Sequence, residues 1–319
     1  MEVIIFGIKL TLNPIAFTIP IGNGWNVYWY GIIIALGFLL AVLYAVKNAA
    51  RFNLNADKML DVALITVPLA ILCARAYYVI FDGEKLESFS DFFGFSDSSG
   101  FSGIAIYGGV IGAFTFGLIL CKLFKVNFLD MFDIAAIGFL IGQCVGRWGN
   151  FVNQEAYGSF TGSSWWGMQS ERTIYEMGEG LVHPCFLYES LWCLAGIFVL
   201  HYFSKKRKFS GQIFLMYCAW YGFGRAFIEL LRTDSLMIGN IKVSSLLSFV
   251  ICITAIILLS VFLRKSKVKA FEGEYNTMFE NEETPEIEEI NEEPQELIKE
   301  EENEISEEIS QEIENNEID

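Results

Sequence analysis

The sequence predicts an all-α, polytopic membrane protein with about seven transmembrane helices, its N-terminus outside and its C-terminus in the cytoplasm. Three observations lead there. Mean hydropathy is +0.41 and 53% of the 319 residues are hydrophobic, too apolar for a soluble chain of this length. Seven apolar stretches are long enough, at about 1.5 Å per helical residue, to cross a hydrocarbon core of about 30 Å. Basic residues gather in every second connector, the pattern left when Lys and Arg are retained on the cytoplasmic side.

The stretches lie near residues 28–46, 59–81, 103–124, 131–149, 185–203, 211–230 and 243–263. Lys47, Arg51 and Lys58 follow the first, and Lys122 and Lys125 end the third. Lys205, Lys206, Arg207 and Lys208 follow the fifth; Arg264, Lys265, Lys267 and Lys269 follow the seventh. The alternate connectors are acidic, with Asp82, Glu84, Glu87, Asp91 and Asp97 in one and Glu171, Glu176 and Glu179 in another. Met1 to Leu10 carries Glu2 and has no basic n-region or small-residue cleavage site, so it does not read as a removable signal peptide.

The net charge of −16 comes from the end of the chain, where residues 271–319 hold 21 acidic residues and one lysine. The remainder is mildly basic. The reading is therefore a transmembrane catalytic domain over 1–269 and an acidic, disordered cytoplasmic tail over 270–319, whose charge density opposes a packed core. The seven cysteines fall mostly inside apolar stretches without a CxxC pair and read as small buried apolar residues. With His183 and His201 as the only histidines there is no zinc-ligand spacing. Neither a metal nor another cofactor is expected, and no nucleic acid is expected as a partner.

A charge inside a span costs at least about 2.5–3.5 kcal/mol on insertion scales, so charged residues kept there call for a purpose. The segment Gly146 to Gly158 ends the fourth span and puts Arg147, Asn150, Asn153 and Glu155 within thirteen residues, able to converge on one ligand. Its glycines permit close backbone approach or positive φ, while Gly138, Gly142 and Gly146 read as a ridge for helix packing. In the sixth span Tyr221, Arg225 and Glu229 recur every four residues and share one helix face. They fit either an ion pair that locks helices together or a guanidinium held toward a phosphate. His183-Pro184 through Tyr188-Glu189 opens the fifth span, as a helix-entry cap or a site wall. Tyr28, Trp29 and Tyr30 suit an aromatic belt, and His201 an interfacial anchor. Tyr107 stands among Gly103, Gly108, Gly109 and Gly112, which leave room around its phenol, and Arg75 is a further cation within a span.

Gly146 to Gly158 resembles the signature segment of the prolipoprotein diacylglyceryl transferase family. The other pieces follow in the matching order: Tyr28-Trp29-Tyr30-Gly31, Tyr107-Gly108-Gly109, His183 to Glu189, and Tyr221 to Glu229. The resemblance covers about residues 15–265 and excludes the tail. It implies a seven-span enzyme of the bacterial plasma membrane, with phosphatidylglycerol as donor and the lipobox cysteine of a prolipoprotein signal peptide as acceptor. The products implied are a thioether-linked diacylglyceryl cysteine and glycerol 1-phosphate. It also implies essential roles for Tyr30, Arg147, Asn150, Glu155, Gly158, Tyr221, Arg225 and Glu229. Many relatives carry histidine where this chain has Tyr107.

The chemistry follows independently. A thiol of pKa near 8.5 must lose its proton before attacking carbon, and a leaving phosphate gains charge as the C–O bond breaks. Arg147 is assigned to donor phosphate binding and Arg225, held by Glu229, to the leaving group. Asn150, Asn153 and His183 are assigned to substrate binding, together with Tyr30, Gly158 and Tyr221, whose essential roles the resemblance implies. Tyr107 and Glu155 both stand as candidates for the proton-accepting role, because a phenol of pKa near 10 needs neighbouring arginines or a shared carboxylate to serve. An anion transporter or another lipid transferase are the rival classes. Transporters often repeat a broken helix in each half, and the Gly146 to Gly158 segment has no second copy.

Overall fold

The computed structural model describes residues 2–20, 25–82, 92, 105–233, 237–239 and 241–280. The chain is mostly helical, and six helices are long and apolar enough to cross a membrane. They are α1 (Trp29–Asn48), α2 (Ala56–Asp82), α3 (Ile106–Leu123), α4 (Phe128–Val152), α6 (Cys185–Ser204) and α8 (Val243–Glu280). The sixth expected span forms α7 (Gln212–Leu231), 20 residues long. It does not count with the six, because Gln212, Arg225 and Glu229 dilute its apolar character. The acidic connector after α2 and residues 281–319 of the acidic tail lie outside the described residues; α8 itself runs to Glu280.

An all-α reading misses short strands at one end of the bundle. β1 (Glu2–Ile5) and β2 (Ile8–Thr11) form a hairpin through Phe6 and Gly7, both at positive φ. Such a two-residue turn matches the twist of the strands it joins. β5 (Met168–Ser170) adds to the far side of β1, giving the order β2-β1-β5. β3 (Ile15–Ile19) pairs with β4 (Trp25–Tyr28) just ahead of α1. Runs of four or five residues are too short for their period to be separated from neighbouring apolar sequence. β5 leads into the short helix α5 (Glu171–Met177), started by a reciprocal Ser170–Thr173 capping box. β6 (Met237–Ile238) and β7 (Ile241–Lys242) form a small hairpin between α7 and α8.

Helix α4 is the central post. Its ridge of Gly138, Gly142 and Gly146 faces Ala41, Gly37 and Ile34 of α1, as the spacing predicts. At its start Asp133 is fully buried; its carboxylate accepts from the Gly211 and Phe214 backbone N–H groups at 2.9 and 2.8 Å, fastening the first turn of α7. Arg207 donates to Asp133 at 2.9 Å and to Asp130 at 2.6 Å, so the acidic start of the fourth span is a buried paired cluster. Helices α6 and α7 lock by reciprocity. Trp192 donates to the Trp220 carbonyl and Trp220 to the Trp192 carbonyl, the rings stack at 4.5 Å, and each indole lies over a glycine, Gly224 or Gly196.

Two apolar clusters run across these helices. One gathers Ile134, Ile137, Leu140, Cys193, Leu200 and Ile213. The other gathers Val3, Phe151, Tyr157, Met168, Val182 and Phe186. Of the glycines named around Tyr107, Gly103 lies outside the described residues, and Gly108 and Gly112 serve packing instead of opening space: a Cβ at Gly108 would sit 2.5 Å from the Cys73 carbonyl, and one at Gly112 2.6 Å from Cys73 Cβ. Replacing Gly112 by valine is expected to destabilise the α2–α3 seam by about 1–3 kcal/mol, the usual cost of overpacking. Thermal unfolding in detergent reads this as a lowered Tm; an unchanged Tm would mean the seam opens freely.

Candidate active site

Helices α4 and α6 run antiparallel between the two apolar clusters, and the polar side chains of both meet in the gap. On α4, Leu140 belongs to one cluster and Phe151 to the other, with Arg147 between them; on α6, Glu189 lies between Phe186 and Cys193. Glu189 is 2% exposed. Its Oε1 accepts from Arg147 Nη2 and, at 2.8 Å, from the Tyr221 hydroxyl, while Oε2 accepts from Arg225 Nη1 at 2.9 Å. One carboxylate thus gathers donors from α4 and α7.

The i, i+4 spacing on α7 does what its periodicity predicts, since Tyr221 and Arg225 both reach Glu189 and Arg225 Nη2 also pairs with Glu229 at 2.7 Å. The chain then turns, bringing Arg232 Nε to 4.0 Å from Glu229. Lys242 of β7 donates to the Glu229 and Leu230 carbonyls at 2.9 and 3.0 Å, closing the C-terminus of α7 with a cation. In their usual charged forms, three guanidiniums face two carboxylates here, all at 18% exposure or less.

Arg147 also donates to Asn150 Oδ1 at 3.3 Å, one helical turn on. Beyond Val152 the backbone breaks at Gln154 and Ala156, which take φ of 56° and 58°. The glycines of this segment do not supply the left-handed turns; they allow close approach. A Cβ on Gly149 would lie 2.8 Å from the Tyr30 ring, and one on Gly158 2.8 Å from the Leu231 carbonyl and 2.9 Å from Cys185 Sγ. The Gly158 N–H donates to the His183 carbonyl at 2.8 Å, and Gly158 bridges Arg232 as isolated β-pairing.

Two cavities flank the last turn of α4. A polar one of about 480 Å³ is lined by Asn150, Glu155, Tyr157, Arg172, Glu176, Arg232 and their neighbours. Arg172 of α5 crosses its wall, bonding Glu176 at 2.8 Å and reaching Glu155 at 3.4 Å, while its backbone N–H donates to Gln154 at 3.2 Å. The hydrogen bond to Glu176, aided by the charges of Glu176 and Glu155, raises the Arg172 pKa above its ordinary value, so it stays cationic. Tyr157 hydrogen-bonds Glu176 as well. The second cavity, also about 480 Å³, is largely apolar and lies on the α1 side, lined by Val27, Tyr28, Tyr30, Gly31, Ile32, Ala35 and Asn153.

Arg147, Asn150, Tyr221, Arg225 and Glu229 are thus brought together, with Glu155 across the polar cavity and Tyr30 and Asn153 in the apolar one. His183 both supports Gly158 and bonds through Nδ1 to the Tyr188 hydroxyl at 3.1 Å, which accepts from Trp166 at 2.9 Å. Tyr107 stands apart. It is 53% exposed at the start of α3, and among the described residues no hydrogen bond, ion pair or ring contact joins it to the arginines. His201, read as an interfacial anchor, is bonded by Tyr44 and Arg51 near the end of α1. Arg75 donates to the Phe92 carbonyl and lies over the Tyr78 ring.

Sequence reasoning carried Glu189 only as the end of the His183 to Glu189 segment, a cap or a site wall, and missed Arg232 and Arg172 beside the candidate site. A carboxylate in an apolar span was a signal for Glu189, and Arg232 lies seven residues beyond Arg225. Arg172 left no signal, since its connection to Glu155 exists only once α5 folds back.

Apolar helices closed around buried guanidiniums define a multi-pass membrane protein with a polar centre inside its helix bundle. Residues 14–261 match the sequence profile of the prolipoprotein diacylglyceryl transferases, and the chain belongs to that family. It is 39% identical to the phosphatidylglycerol--prolipoprotein diacylglyceryl transferase of Clostridioides difficile, over 80% of this chain and 98% of that protein. It is 41% identical to enzyme 1 of that name from Clostridium perfringens, over 81% and 97%. With the Bacillus licheniformis enzyme it shares 42%, over 78% and 92%.

Removing one member of a buried ion pair typically costs about 3–5 kcal/mol, because the partner charge stays buried without compensation. Glu189→Ala leaves two guanidiniums in that position and is expected to lower stability by that order. A Tm in detergent within a degree of wild type would show that the arginines do not depend on it.

Proposed function

We propose that this protein transfers the sn-1,2-diacylglyceryl group of phosphatidylglycerol to the lipobox cysteine of a prolipoprotein and releases glycerol 1-phosphate, the first step of lipoprotein maturation. The observation that carries the reading is the gathering of the Arg147, Arg225 and Arg232 guanidiniums inside the bundle, whose forked donors suit the oxygens of a phosphodiester. In the low-dielectric interior such a charged contact is far stronger than in water. The enzyme works in the bacterial plasma membrane, with seven spans including α7, the N-terminus outside and the C-terminus in the cytoplasm.

The cysteine thiolate attacks the C3 carbon of the diacylglyceryl group, an S–C bond forms, and the C3–O bond breaks with its electron pair passing to the phosphate oxygen. Arg147 anchors the phosphate and Arg225 meets the charge that develops on the leaving oxygen. Glu189 and Glu229 hold these guanidiniums in place, so their geometry is set before the lipid arrives. The leaving glycerophosphate faces the polar cavity, where Asn150 and Arg232 meet its oxygens. Glu155 lines that cavity and Tyr107 stands apart from it, so the thiol proton is assigned to Glu155. The surrounding guanidiniums lower the thiol pKa toward the reach of a carboxylate.

Purified protein, phosphatidylglycerol and a lipobox peptide should give the mass increment of one diacylglyceryl group. Arg147→Ala should reduce the rate by roughly 10²–10³-fold or more, the order seen when a donor to a developing oxyanion is lost. Wild type giving no adduct with a competent peptide would refute the proposal. A separate comparison assigns the base: Tyr107→Phe should keep near-full turnover and Glu155→Gln should not, and the opposite pattern would return the role to Tyr107.

A further inference from the structure

The hairpin that leads into α1 has two unlike faces. In β3 and β4 the pairs Phe17–Val27 and Ile19–Trp25 fall on one side and the pair Thr18–Asn26 on the other, as alternation along a strand requires. The first side is apolar throughout. The second is polar, and the Thr18 hydroxyl donates to Asn26 Oδ1 at 2.7 Å. The apolar side is open: Phe17 is 53% and Trp25 59% exposed, and among the described residues β3 and β4 pair only with each other. A lone two-stranded hairpin is marginal in water unless its apolar face packs against something.

What covers this face follows from where it points. Val27, on the apolar side, lines the α1-side cavity together with Gly31, Ile32 and Ala35. Those three residues belong to the first span, and at about 1.5 Å per residue Ala35 lies about 9 Å along the axis from Trp29, where α1 begins. The apolar face is therefore turned toward the length of α1, and Thr18 and Asn26 are turned away from it. The hairpin also sits at the level where α1 starts. Tyr28 ends β4 and Trp29 opens α1 with no residue between them, and the Trp29 N–H donates at 2.9 Å to the carbonyl of Pro14, the residue before β3. Farther along α1, Leu36, Leu39 and Leu43 are exposed in turn, an apolar stripe that suits lipid.

We propose that the β3–β4 hairpin lies in the membrane–water boundary at the start of α1, with Phe17, Ile19, Trp25 and Val27 against lipid and Thr18 and Asn26 in water. The partner it fits is a bilayer surface, where an amphipathic element buries its apolar face at the edge of the acyl chains and tryptophan is favoured. Because β4 and α1 are continuous, the hairpin fixes from outside the span the depth at which α1 begins. This contact is independent of the reaction and goes beyond the transferase reading.

The test places a benzophenone amino acid at Phe17 or at Thr18 of the full-length protein, in vesicles of phosphatidylglycerol and phosphatidylethanolamine without peptide. Irradiation should give phospholipid adducts, read by mass, about tenfold more from position 17 than from position 18, because neighbouring strand residues face opposite ways. A second measurement uses a conservative variant. The part of the tryptophan emission that Trp25→Phe removes should be quenched more by lipids brominated near the headgroup end of the acyl chain than by lipids brominated near its terminal methyl. Equal lipid labelling at both positions, or position 17 adducts with the same chain or with another copy in place of lipid, overturns the proposal. So does a Trp25 emission that is indifferent to bromination or quenched best near the terminal methyl. A lipobox peptide that captures the position 17 label in place of lipid also overturns it, by making the face a peptide dock.

Discussion

The Glu189 carboxylate, buried between the Arg147 and Arg225 guanidiniums, is the contact on which the rest of the arrangement depends. A guanidinium inside an apolar bundle is costly unless it is paired and fully hydrogen-bonded. One carboxylate from α6 satisfies cations from α4 and α7 and takes the Tyr221 hydroxyl as well. It thereby ties three helices together at the depth where the site lies. Glu229 extends the pairing on one side and Asn150 on the other. The pairing holds both guanidiniums in fixed positions, the condition that the proposed phosphate binding requires.

The apolar clusters on either side of this centre have a functional consequence. The cluster around Leu140 and Cys193 on one side and that around Phe151 and Phe186 on the other limit the access of water to the ion pairs. Electrostatic interactions in such a setting are stronger than at a surface. The polar residues that dilute the apolar character of α7 are the ones that build the site, so its weak span signal and its role share one cause.

The short strands and α5 complete the site from one end. β5 is held in place by β1, and α5 follows directly from it, so the N-terminal hairpin supports the position of Arg172. The Arg172 ion pairs are nearly half exposed, and pairs of that kind contribute little stability. Their effect is to orient Glu155 at the wall of the polar cavity. Glycine acts through absence of bulk: Gly149 admits the Tyr30 ring and Gly158 admits the turn after α7.

The membrane class, the apolar spans, the α4 glycine ridge and the helical face shared by Tyr221, Arg225 and Glu229 were legible in residue order alone. These follow from composition and from a period of 3.6, which act locally along the chain. Residue order also singled out Gly146 to Gly158 as the candidate working segment, since a charge kept inside a span is costly wherever the chain folds. The tertiary structure alone shows that Glu189 pairs with two arginines, that Arg232 approaches Glu229 and Arg172 approaches Glu155, and that among the described residues no hydrogen bond, ion pair or ring contact links Tyr107 to them. Glu189 is 42 residues from Arg147 and 36 from Arg225, and pairing over such separations leaves no periodic trace. The glycines beside Tyr107 show the same limit: their spacing reads equally as room for a phenol or as a packing seam, and the backbone of α2 makes them a seam.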